Sequence, residues 1–129
     1  MKYFQLLFFM LVGFFCFSCG TAKPIQKAPE QPHQIAYKLI TNSVFDHLDV
    51  SYLDRFEKGV TKKDLIQKVM DIPIGLVSAG YIASISSTGY GAKDSTATLE
   101  LQIIENGKVV AHQVAMGKSP SVAVSYVVE

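Results

Sequence analysis

The hydrophobic positions of this chain repeat with two different periods. Val44, Phe45, Leu48, Tyr52 and Phe56 fall at helical spacing, and Leu65, Ile66, Val69 and Met70 do so again a short way on. Each run has start and stop signals. Ser43 with Asp46 three residues later forms a capping-box-like entry, and Gly59 is placed to end the first helix. Thr61 caps the second, Asp64 lies near its positive end, and Pro73 stops it.

From Leu76 onward the period falls to two. Leu76 to Ser87 is a strand-like run with a bend expected at Gly80, and Ser87 to Ser95 is a polar, Gly-rich loop. Thr96 to Glu105 alternates, with Ala97, Leu99, Leu101 and Ile103 on one side. Asn106-Gly107 supplies both positive-φ residues of a type I′ turn, so Lys108 to Ala115 returns as a hairpin, and Val122 to Val128 forms a last strand. Ahead of the first helix, Ile35 to Thr41 alternates briefly as a short strand or lead-in. The expectation is an α+β domain over residues 35–129: two short helices, then a three- to four-stranded antiparallel sheet.

In the hairpin, a regular two-residue turn pairs Glu105 with Lys108, Ile103 with Val110 and Leu101 with His112. That register points His112 inward or to the sheet's rim. A single bulge would turn it outward.

Composition changes the picture at the N-terminus. Fourteen of the first 18 residues are apolar or aromatic, and Lys2 is their only charge. The other 111 residues hold 49 hydrophobic positions, about 44%, an ordinary globular share. Without Lys2 the chain carries 11 basic and 11 acidic side chains, a balance that weighs against nucleic-acid binding. Residues 1–18 have the positive start and apolar middle of a secretory signal peptide, and the apolar run is too short to span a membrane comfortably.

Phe17-Ser18-Cys19-Gly20, directly after that run, resembles the lipobox of bacterial lipoproteins. Ser18 and Cys19 match it, Cys16 is an acceptable small residue upstream, and Phe17 departs from it. The resemblance implies a diacylglyceryl group on the Cys19 thiol and cleavage just before it. Cutting after Ala22 by an ordinary signal peptidase and a short uncleaved anchor are the competing expectations. Gly20 and Thr21, with no aspartate after Cys19, resemble the default route to the outer membrane, facing the periplasm. Two or more acyl chains hold a protein stably on a bilayer, so the membrane itself is one expected partner. With Cys16 removed and Cys19 capped, no thiol is left for disulfides or Cys-ligated zinc.

Residues 19–34 are then the lipidated Cys19 and a tether rich in proline and glutamine, reaching up to roughly 45 Å at about 3.1 Å per residue. His33 lies in this spacer without an expected role.

A second resemblance lies in the domain. Gly59-Val60-Thr61, the stop at Asp71-Ile72-Pro73 and the hairpin Asn106-Gly107-Lys108-Val109 are similar to the SmpA/OmlA (BamE) type of small outer-membrane lipoprotein. Asp71 stands where that pattern has glycine, and Val60 where it more often has methionine. The resemblance implies a two-helix, antiparallel-sheet fold that assists outer-membrane assembly by binding envelope proteins, with no catalytic residues to carry over.

The remaining chemistry is sparse. Ser78 is one residue too late for a nucleophile elbow, and Gly89-Tyr90-Gly91 lacks the third glycine of a phosphate loop. Asp46, His47 and Asp49 lie within one helical turn, yet no second histidine follows at metal-binding spacing, so the favoured reading is a solvated helix face. Lysines 58, 62, 63 and 68 interleave with acids and read as solvated surface. Tyr90, in the Gly-rich loop, is the expected partner contact, while Tyr81 and Tyr126 read as core residues. No catalytic residue, metal, cofactor or small-molecule substrate is expected. The chain reads as a lipid-anchored, non-catalytic binding or scaffolding module that meets another envelope protein. An inhibitor or immunity protein against a periplasmic toxin or hydrolase is the alternative.

Overall fold

A computed structural model describes residues 30–129. The expected signal peptide, Cys19 and most of the expected tether lie outside the described residues. The described chain forms eight strands: β1 His33–Thr41, β2 His47–Leu53, β3 Gly59–Leu65, β4 Val69–Val77, β5 Ile82–Tyr90, β6 Thr98–Glu105, β7 Lys108–Met116 and β8 Ser121–Val127. They pair antiparallel in two four-stranded sheets, β4-β1-β6-β7 and β3-β2-β5-β8. The expected α+β fold with two helices is therefore wrong. The domain is all-β, with no helix among the described residues.

The physical reason lies in spacing. Leu48, Tyr52 and Phe56 recur every four residues, and four fits a strand's period of two as well as a helix's 3.6. Val50 separates the two readings. It lies two residues from both Leu48 and Tyr52 and is fully buried, as strand alternation requires. Phe56, assigned to the helical face, sits in the β2–β3 turn and is 67% exposed. Asp54 builds that turn, its Oδ1 accepting the backbone N–H groups of Phe56 and Lys58. Ile66, assigned to the second helix's buried face, is 76% exposed in the β3–β4 connection. Pro73 stops no helix. It lies within β4, an edge strand of its sheet, which is where strands accommodate proline.

The two sheets pack their inner faces on a shared core. β1 contributes Ile35, Tyr37 and Leu39, and β6 contributes Leu99, Leu101 and Ile103; β2 and β5 answer with Leu48, Val50, Ala83 and Ile85. Gly89 admits the Phe45 ring, which lies 2.7 Å from where a Cβ would stand.

A polar joint runs through this core. The Tyr37 hydroxyl accepts from the Ser84 N–H at 3.1 Å and donates to the Leu53 carbonyl at 3.0 Å, tying β1 of one sheet to β2 and β5 of the other. The Tyr81 hydroxyl is 3.3 Å away, within reach of the Leu53 and Asp54 carbonyls. Burial, above all, raises the pKa of both phenols.

The expected hairpin is present. Asn106 and Gly107 have φ of 50° and 79°, and Glu105 pairs with Lys108. The regular register beyond it is not. An irregularity at Ile103/Ile104 pairs Ile104 with Val109 and Ile103 with Ala111, leaving Val110 as the extra residue. His112 consequently pairs with Gln102 instead of Leu101 and is exposed, the outcome a single bulge requires.

Candidate functional site

The outer faces of the two sheets differ in chemistry. On the first sheet, Val109 faces out beside Ile104, and Val114 beside Glu100; Val69, Val109, Val114 and Met116 are all about half exposed or more. Lys38 and Asp71, 3.7 Å apart, and His112 cross the middle of that face. The second sheet carries small hydroxyl residues. Ser51 meets Thr61 at 3.0 Å and Thr88 meets Ser121 at 3.1 Å across neighbouring strands.

One end of this hydroxyl-rich face gathers the molecule's most chemically suggestive group. His47 and Asp49 are two apart on β2, so both project to the same outer face. Tyr90, the last residue of β5, is the cross-strand partner of His47, and their rings stack with centroids 4.4 Å apart and planes at 15°. Asp64 arrives from β3. There the ladder skips, pairing Leu48 with Leu65 and then Val50 with Lys62, so that Lys63 and Asp64 together oppose Asp49. Asp64 takes φ of 56°, a left-handed conformation that aspartate tolerates better than most residues, and its N–H donates to Asp49 Oδ1 at 3.3 Å. One ligand-capable atom from each of His47, Asp49 and Asp64 lies within 4.8 Å of the others.

The helical spacing predicts these residues on two separate helices, with His47 and Asp49 on a solvated helix face, and the strands overturn that expectation. Only the strand assignment puts them side by side, and only the bulge adds Asp64. The signal that was available is the alternation His47, Asp49, Ser51 against Leu48, Val50, Tyr52. Asp46 departs from the expected group. It lies in the β1–β2 connection, its N–H bonded to the Tyr90 carbonyl at 2.8 Å and its carboxylate where a side chain on Gly91 would stand.

Tyr90, the expected partner contact, ends a strand and is 37% exposed, its ring occupied on one side by His47. Tyr81 is buried, and Tyr126 is half-buried against the core. Tyr126 also donates to Glu105 at 2.9 Å, and the other oxygen of Glu105 engages His33. His33 thus opens β1 and is tied to β6, and does not belong to the expected spacer. The Tyr126 phenol pKa is raised, chiefly by its bond to Glu105.

A cleft of about 410 Å³ adjoins the β1–β2 connection, lined by Asn42, Val44, Asp46, Lys68 and Lys93 among others. Among the described residues, no helix is long and apolar enough to cross a membrane. No protein-family model matches the chain, and no curated protein matches it in sequence.

Proposed function

We propose that this protein is a lipid-anchored, non-catalytic binding module of the bacterial cell envelope, held at the periplasmic face of the outer membrane through Cys19. The observation that carries the reading is Cys19, in Phe17-Ser18-Cys19-Gly20, directly after an 18-residue signal-like segment and ahead of a Pro- and Gln-rich spacer and one small domain. Lipid on Cys19 ties the chain to the membrane, and the spacer lets the domain stand off it.

The link to outer-membrane assembly came from the similarity to the SmpA/OmlA (BamE) type, whose two helices are strands in this chain. The proposal therefore keeps the envelope partner and leaves its assembly complex open. The outer face of β7 supports a protein partner. Exposed Val109, Val114 and Met116 on an edge strand give apolar area beside unpaired backbone groups, both of which suit docking.

The test is photo-cross-linking in intact cells from Val114 and, separately, from Tyr90, with Cys19→Ser as the mislocalised control. One protein captured from Val114, and lost with Cys19→Ser, is the expected result. Identical membrane fractionation of the wild type and Cys19→Ser would remove the lipoprotein reading. Capture of a toxin or hydrolase would favour the inhibitor alternative.

A further inference from the structure

We infer that His47, Asp49 and Asp64 form a binding site for a divalent first-row transition ion, with Zn²⁺ as the reference cation, on the outer face of the second sheet. The inference is independent of membrane anchoring and of any partner on β7.

The donor set is the first argument. One imidazole and two carboxylates suit borderline ions such as Zn²⁺, Co²⁺ and Ni²⁺, whereas Ca²⁺ and Mg²⁺ favour all-oxygen shells. Geometry is the second. Ligands held at about 2.1 Å from one tetrahedral ion sit about 3.4 Å apart. The three donor atoms lie within 4.8 Å of one another, so closing on an ion requires at most about 1.4 Å of approach between any two, within the reach of side-chain rotation.

The backbone supplies the third. Two donors come from one strand at positions that share a face, and the bulge re-aims the third from its neighbour, so the sheet and not a loop sets the spacing. The Asp64 N–H engages Asp49 Oδ1 and fixes that carboxylate's orientation while its second oxygen is still available as a ligand. Tyr90 stacks on the imidazole and restricts its rotation. Three protein ligands leave coordination positions for water, the pattern of an open metal site.

The bland alternative is a solvated His–carboxylate surface group. His33 and His112 provide internal controls, since both are present in the same chain. His33 is engaged by Glu105, and His112 stands on the opposite sheet.

The experiment titrates the full chain in detergent with Zn²⁺ by calorimetry and with Co²⁺ by visible absorption. One ion per chain is expected. His47→Ala and Asp64→Asn should each weaken it by at least about tenfold, because even the outer partners of metal ligands are worth that much. His33→Ala and His112→Ala should leave it unchanged. In the wild type, Mn²⁺ should broaden the NMR signals of His47 and Tyr90 before those of His33, a readout that needs no variant. The inference is overturned if no saturable binding occurs up to about 100 µM, a free energy near −5.5 kcal/mol, if His47→Ala with unchanged circular dichroism binds as the wild type does, or if broadening centres on His33 or His112.

Discussion

The Tyr37–Tyr81 joint and the His47–Asp49–Asp64 group are both polar clusters on antiparallel strands, and they are built in opposite ways. The two phenols lie inside the sandwich, and their hydroxyls find partners in Leu53, Asp54 and Ser84. A buried polar group of this kind is stabilising only while its partners stay in place. The second cluster stands at the surface. It brings two carboxylates and an imidazole together at one end of a hydroxyl-rich face, where like charges gain little from their mutual proximity. Groups that satisfy one another hold a fold together, whereas the surface group offers its donor atoms outward, where an added cation is the direct test of its role.

That contrast can be broken at either end. Tyr37→Ala should have the largest effect, about 3–5 kcal/mol by chemical denaturation, because it removes a fully buried ring as well as the joint. The metal cluster should respond instead to its ligand. Zn²⁺ at 100 times its dissociation constant should stabilise the wild type by about 2.7 kcal/mol, and His47→Ala at the same Zn²⁺ concentration should cut that gain to about 1.4 kcal/mol or less. An undiminished stabilisation in His47→Ala would merge the two clusters into one structural class.

Tyr37→Phe keeps the ring and deletes the hydroxyl. About 1–3 kcal/mol should be lost, since the Ser84 N–H and one carbonyl bond lose their partner. The same joint should impose a dependence on alkaline pH. Both phenols have pKa values raised above 10.0 by burial, so the unfolded chain releases these protons first. Their contribution is fully present below pH 10 and is lost progressively as pH climbs from there through the folded values. Urea midpoints measured between about pH 9 and 11 should fall, and the fall should be shallower in Tyr37→Phe. The smallest effect belongs to His47→Ala without metal, which should change stability by less than about 0.5 kcal/mol, as for a surface substitution. A larger loss would mean that the Tyr90 stack is structural.

Residues 96–128 were readable in the chain and residues 44–70 were not; in between, the expected strand Leu76–Ser87 is divided between β4 and β5, and the loop expected from Ser87 begins only after Tyr90. Thr98–Glu105 carries strict alternation, and Asn106-Gly107 admits little besides a tight hairpin, so both elements are where periodicity puts them. Residues 44–70 misled because four-residue spacings serve helix and strand alike, and because the cap-type residues Ser43, Gly59 and Thr61 instead lie in the β1–β2 connection and in β3. Asp54 was the overlooked punctuation: an aspartate ahead of a short polar run and a glycine, which marks a hairpin turn when Val50 is read inward. The candidate site followed the same error. Two residues apart, His47 and Asp49 diverge around a helix, whereas on a strand they stand side by side on one face.

The sequence alone determined the net charge of +1, the lipobox-like Cys19 and the Asn106-Gly107 hairpin, because the first is a sum over residues and the other two depend on neighbours in the chain. Tertiary structure decided what depends on pairing. The Ile103/Ile104 irregularity turned His112 to solvent, β4 accepted Pro73 at a sheet edge, and the β2–β3 bulge carried Asp64 to Asp49 across fifteen residues. Bulges and edges are settled by which strand lies alongside, and a single strand's own residues do not state its neighbour.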